Sequence, residues 1–383
     1  AMRATAPFGL LRREIAGGDA KYVGRHDKVK QLTDAFEAAA ASDGRGPVQA
    51  FMVCGETGMG KTTTVVEALR QHHRNGRVLA EKGKWVLHMR VQGRMVHEAL
   101  DELAAIAREQ RAALGVAADV VDDGEYVESL VKFCRRDETV WVLVVDDVLA
   151  CGVWNEICGK FAGVPGGVVV GTSLADESVW AEAAVDIVRL EPLTRDEAKV
   201  LAKRVGLDLE PDVWDEVAAF CDKTLQNLPL AVRLFFTQAR NRCGVEIQSL
   251  MQDPVFVLEG GEEHLRGVLG TMRLALRGLD DNARGMMAVL AVIDVDRVPT
   301  FLLDGRVIDG LVLEPVDGVP LSKGLAADRA ALVLRQEGLV RLMSDERGRE
   351  WYQTHALIRE AVRVALGGDV VGNGRVVASR LID

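Results

Sequence analysis

Residues 55–62 read Gly-Glu-Thr-Gly-Met-Gly-Lys-Thr, and this G-x-x-x-x-G-K-T spacing constrains the fold more than any other feature of the chain. Such a loop holds phosphate only between a strand and a helix. Both flanks are present: Val48 to Cys54 is a short apolar run with β-formers, and Thr62 to His72 is helix-compatible. Glycines let backbone N–H groups wrap an anion, and the positive end of the following helix dipole adds to them. Thr57, Gly58, Met59, Gly60, Lys61, Thr62 and Thr63 are therefore the expected phosphate contacts. Lys61 supplies a point charge for β- and γ-phosphates, and Thr62 a hydroxyl for Mg²⁺.

A second segment completes that chemistry. Val140 to Val145 is a continuous apolar run ending in Asp146-Asp147, as expected of a strand buried on both faces of a parallel sheet. Ligands bind at the carboxyl edge of such sheets. Asp146 is then the expected Mg²⁺ anchor, and Asp147 the residue that orients or activates an attacking water. Further strand-like runs at 85–91, 167–171 and 185–190 alternate with helix-length segments such as 97–114 and 126–135, which predicts a parallel α/β sheet. Gly171-Thr172-Ser173 closes one of these runs, and Ser173 is placed as the polar group that senses a γ-phosphate.

The 383 residues suggest two or three domains. A net charge of −10 and a hydrophobic fraction of 48% describe a globular chain whose overall field repels a phosphate backbone. DNA is accordingly expected not to be a partner. Six cysteines with no C-x-x-C predict buried reduced thiols rather than a disulfide frame or a zinc site. No apolar run reaches 18 residues and no leader pattern opens the chain, so no membrane association and a cytoplasmic location are expected. Ala1-Met2 reads as a cloning remnant of a longer protein with further sensor and effector domains.

The phosphate loop and six further blocks, in order, carry a resemblance. They are Tyr22-Val23-Gly24-Arg25, the phosphate loop, "VLVVDDVLACGVWNEI" with Trp154, Gly171-Thr172-Ser173, "LEPLTRDEAKVLAKRVG" with Asn227-Leu228-Pro229-Leu230-Ala231, and Gln353-Thr354-His355-Ala356-Leu357-Ile358-Arg359. Over about residues 21 to 366 the chain resembles the STAND class of P-loop ATPases, specifically the NB-ARC domain of plant disease-resistance proteins and animal apoptotic adaptors. The resemblance implies that Val23 and Arg25 lie by adenine, that Pro229 touches the nucleoside, and that His355 reaches the β-phosphate of ADP. Three positions depart from the pattern: Ser173 stands where many members have arginine, Asn227 replaces a glycine, and Ala356 replaces the aspartate after His355.

The expected organisation is an α/β P-loop NTPase domain, a parallel sheet flanked by helices, followed by an all-α helical domain and a winged-helix domain. The boundaries are a linker at 1–20, the nucleotide-binding domain at 21–190, the helical domain at 191–262, the winged helix at 263–366 and a linker at 367–383. The helix expected over 326–337 exposes Asp328, Arg329, Arg335 and Glu337, with no surplus of positive charge. What the resemblance implies is a switch that is closed with ADP, oligomerises with ATP and hydrolyses it slowly, with Lys61, Asp147 and Ser173 catalytic and Thr62 and Asp146 holding Mg²⁺. The alternative is a DNA-acting AAA+ ATPase of the origin-recognition type, whose winged helix binds DNA.

Overall fold

In the computed structural model the residues described are 22–41, 46–74, 84–91, 95–109, 122–135, 140–242, 246–256, 266–293, 297–300, 323–344 and 350–366. The chain divides into two compact units, Ala1–Glu191 and Pro192–Asp383. The expected linkers at 1–20 and 367–383, the turn expected at 345–348, and all but the last two residues of the Gly/Pro-rich insertion expected over 304–324 lie outside the described residues.

The first unit is built on five parallel strands: β1 (Gln49–Cys54), β2 (Lys84–Arg90), β3 (Val140–Asp146), β4 (Gly167–Ser173) and β5 (Asp186–Arg189). Their order in the sheet is β2-β3-β4-β1-β5. Every residue of β3 and β4 is buried, because a parallel sheet is covered on both faces and its central strands meet no water. The register pairs Val53 with Thr172 and Val145 with Gly171, so the ends of β1, β3 and β4 finish side by side. On one face α1 (His26–Ala41) and α2 (Lys61–Arg74) pack together over the sheet.

The other core joins the sheet to α3 (Val96–Glu109), α4 (Asp123–Cys134) and α5 (Cys151–Lys160) through Leu103, Tyr126, Phe133, Trp141, Trp154 and Phe161. The Trp141 ring lies 4.9 Å from that of Phe161, and its Nε1 donates to the Pro165 carbonyl at 3.2 Å. A buried indole needs such a partner for its N–H. Asp122 caps α4 by accepting from the Glu125 N–H at 3.1 Å, satisfying one of the orphan donors of the first turn. The short α6 (Glu177–Trp180) buries Trp180 against Trp154.

The second unit is mainly helical, with α7 (Arg195–Val205), α8 (Pro211–Lys223), α9 (Pro229–Asn241), α10 (Ile247–Met251), α11 (Arg266–Arg277), α12 (Asp281–Val292), α13 (Lys323–Gln336) and α14 (Ala356–Leu366). A small antiparallel sheet of β6 (Arg297–Pro299), β7 (Arg341–Ser344) and β8 (Glu350–Gln353) runs in the order β6-β8-β7. Sequence chemistry sets the helix ends. Thr194 and Glu197 form a reciprocal capping box at α7, and Gly206 ends that helix at φ 95°. Proline opens both α8 and α9 at the first turn, where its missing N–H costs no hydrogen bond. Asn227 takes φ 50° just before α9, a left-handed conformation that asparagine enters more readily than most residues. Phe220, Phe235 and Phe256 pack with ring centroids 4.9–6.1 Å apart, tying α8 to α9.

Candidate functional site

The phosphate loop joins β1 to α2, as its flanking sequence predicts. Gly58 and Gly60 have φ of 84° and 88°, and non-glycine residues there would be strained. A Cβ on Gly60 would also come within 3.3 Å of Arg25 Nη1. Arg25 donates to the carbonyls of Met59 and, at 2.7 Å, Glu191, so this guanidinium holds the loop's outer arm against the exit from β5. Val23 is half-buried beside it, and Tyr22 Oη donates to Thr64 Oγ1 at 3.4 Å. Thr57 and Thr63 are half-buried and Met59 is buried within the loop's turn.

Lys61 is 7% exposed, and its ammonium donates to the carbonyls of Gly55 at 2.8 Å and Glu56 at 3.0 Å. Burial lowers its pKa from 10.5 to about 8, while the charges of Asp147 and Asp146 act in the opposite direction. A cation folded onto carbonyl oxygens beneath a glycine loop matches a phosphate in both charge and reach.

The acids complete the site from β3. Thr62 Oγ1 donates to Asp146 Oδ1 at 2.7 Å, and Thr172 Oγ1 donates to the same oxygen at 2.5 Å. Asp146 and Thr172 are fully buried. Asp147 turns out of the strand at φ 61°; its N–H donates to Thr172 Oγ1 at 3.0 Å, and the next N–H, of Val148, to the Thr172 carbonyl at 2.8 Å. One hydroxyl and one carboxylate fit Mg²⁺, which takes few protein ligands and fills its octahedron with phosphate oxygens and water.

Ser173 is buried. Its Oγ donates to the Val148 carbonyl at 2.6 Å and accepts from the Ala175 N–H at 2.9 Å, so its hydroxyl is engaged by the strand-end backbone. Thr172, one residue earlier, is the polar side chain of β4 that meets the acids. Sequence reasoning marks the polar strand end but not which residue turns toward Asp146, because strand register decides that.

Pro229 and His355 belong to the second unit. Pro229 is half-buried at the first turn of α9. His355 is exposed and starts α14: its Nδ1 accepts from the Leu357 N–H at 3.1 Å, and its carbonyl from Ile358 and Arg359.

A glycine loop, a buried lysine and a Thr–Asp pair at the carboxyl edge of a parallel sheet define a P-loop NTPase domain. Residues 21–150 match the family of the AAA ATPase domain. No curated protein matches the chain. Similar solved structures include a STAND protein with a tetratricopeptide repeat sensor from Pyrococcus horikoshii, at 13% identity and a TM-score of 0.49, covering 92% of this chain and 44% of that one. The chain thus spans less than half the length of that protein. The Aeropyrum pernix ORC2 protein aligns at 13% identity and a TM-score of 0.44, over 97% of this chain and 99% of its own. Drosophila ORC bound to DNA aligns at 14% identity and 0.48, over 92% and 90%. At these identities and TM-scores the likeness chooses neither expected reading, and a net charge of −10, a property of the whole chain, does not by itself remove DNA from the candidate partners. Among the described residues no helix is long and apolar enough to cross a membrane.

Proposed function

We propose that this chain is an adenine-nucleotide switch of the STAND, NB-ARC-like kind, in which ADP holds a closed form and ATP permits self-association, with slow hydrolysis. The observation that carries the nucleotide part is the meeting of Lys61, Thr62 and Asp146 at a glycine loop. Lys61 and the loop N–H groups bind phosphate; Thr62 and Asp146 hold the cation, which neutralises phosphate charge. Asp147 orients water, and Ser173 acts through the strand-end turn that it ties together. The switch part rests on the order of the six sequence blocks, with Val23 and Arg25 beside the base and Pro229 and His355 as contacts from a helical domain (191–262) and a winged helix (263–366). A switch requires contacts that differ between its two states, and in this reading His355 is the contact of the closed form.

The test is to denature the purified protein and identify the nucleotide released, with Lys61→Ala as control. Near-stoichiometric ADP, lost in the control, is expected. An empty site combined with fast steady-state turnover would overturn the switch and leave a working ATPase. The match of residues 21–150 to the AAA ATPase domain is equally compatible with a second reading, a DNA-acting ATPase of the origin-recognition type. It requires duplex binding that weakens steeply with salt, measurable by fluorescence anisotropy; no binding at about 50 mM salt would reject it.

A further inference from the structure

The strand order places β4 between β1, which leads into the phosphate loop, and β3, which carries the acids. A side chain at the carboxyl end of β4 therefore has a neighbour on each side, and Thr172 uses both capacities of its hydroxyl. Its proton goes to Asp146 Oδ1 at 2.5 Å, and its oxygen receives the Asp147 N–H at 3.0 Å. Thr62 meets the same Asp146 oxygen from the helix side at 2.7 Å. The Thr172 carbonyl also accepts from Val148 at 2.8 Å, on the far side of Asp147. The two bonds thus bracket a residue whose φ of 61° is unfavourable for a side chain with a Cβ, and they hold it there.

From this we infer that Thr172 is a positioning residue that sets both acids at once: Asp146 through its carboxylate, and Asp147 through its backbone. The inference rests on the nucleotide reading above. When the Thr62 oxygen is engaged by a cation, Asp146 must still present its carboxylate in a fixed orientation, and the bond from Thr172 comes from a rigid buried strand rather than from the loop that grips phosphate. Partners of this outer kind orient ligands and commonly alter metal affinity by about 10- to 100-fold. Phosphate itself is held by Lys61 and the loop backbone, with which, among the described residues, the Thr172 side chain makes no hydrogen bond. Thr172 should therefore govern the part of nucleotide affinity that depends on Mg²⁺ and leave the rest alone.

The experiment measures binding of a fluorescent non-hydrolysable ATP analogue, mant-AMP-PNP, in EDTA and in Mg²⁺. It compares the wild type with Thr172→Val, which removes the hydroxyl at nearly constant shape, and Thr172→Ser, which keeps it; thermal melts check folding. Expected are affinities in EDTA within about threefold of each other, and a Mg²⁺-dependent gain smaller by about tenfold in Thr172→Val but retained in Thr172→Ser. Should Thr172→Val not fold, the pair Thr172→Ser and Thr172→Ala repeats the comparison, since these two differ by the hydroxyl alone. A valine or alanine variant with the wild-type gain, a loss equal in EDTA and Mg²⁺, or a wild type indifferent to Mg²⁺ overturns the inference while nucleotide binding stands. A wild type that binds no nucleotide in either condition overturns the proposed function, and the inference with it.

Discussion

Lys61 keeps its ammonium where burial disfavours a charge, and this makes the residue a proton-linked one. Its pKa in the folded chain is about 8 against an ordinary 10.5. Between those values the unfolded chain holds a proton that the folded, ligand-free chain releases, so this residue's contribution to stability rises with pH across the window. Bound phosphate favours the charged form and raises the pKa again. Nucleotide binding should consequently take up close to no proton near pH 6.5 and approach one near pH 9, with affinity falling by up to about tenfold per pH unit above about pH 8. Calorimetry in two buffers of different ionisation enthalpy measures the uptake, and its absence at pH 9 would contradict the lysine's assignment. Lys61, Thr62, Asp146 and Asp147 were all legible as residues, since their motif fixes spacing along the chain. Thr172 was legible only as part of a polar strand end, because which of two neighbours turns to the acid depends on the strands beside it.

At the scale of elements, β4 shows how a strand is shaped by what packs over it. Gly171 is the position where a Cβ would meet Met52 Cε at 2.6 Å and Trp154 Cζ3 at 2.7 Å. The buried Trp154 ring occupies that space, and a close-packed core does not yield it freely. Gly171→Ala should cost about 1–3 kcal/mol through overpacking, seen as a lower midpoint in urea at unchanged slope; a variant as stable as wild type would mean that both Met52 and Trp154 move aside without cost. The strands of the first unit, with α2, α3 and α4, follow from apolar runs and periodicity to within a few residues, since those patterns are local; α1, α5 and α6 were not singled out in the sequence. The helix expected over 97–114 is described only to Glu109, and that over 126–135 starts at Asp123 with its Asp122 cap. Element ends depend on capping and on neighbours more than on period.

At the scale of the whole molecule, the second unit joins segments that the sequence reading assigns to two domains. Glu337, just after α13, accepts from Gln238 Nε2 at 2.5 Å and from Asn241 Nδ2 at 3.1 Å, both on α9. Asn241 also donates to the Gln336 carbonyl at 3.0 Å, and Gln238 is only 1% exposed. Removing the acceptor would leave a buried amide without this bond, a loss of about 1–3 kcal/mol. Glu337→Ala should therefore lower the unfolding midpoint measurably while Glu337→Gln, which keeps an acceptor, loses less; equal effects of the two would place the stabilisation in the charge rather than the amide contacts. No short-range pattern could announce this link, because Gln238 and Glu337 are 99 positions apart.

The sequence by itself determined the chemistry available: a phosphate loop between strand and helix, and an apolar strand ending in two acids. These depend on spacing and on local backbone preferences, which act over a few residues. Tertiary structure alone decided that β4 comes between β1 and β3, that Thr172 rather than Ser173 meets Asp146, that Arg25 ties the phosphate loop to the Glu191 carbonyl, and that Glu337 binds α9. Each of these pairs residues distant in the chain, and strand order and register, set by how whole faces bury against one another, choose which of several equally suitable side chains is brought into contact.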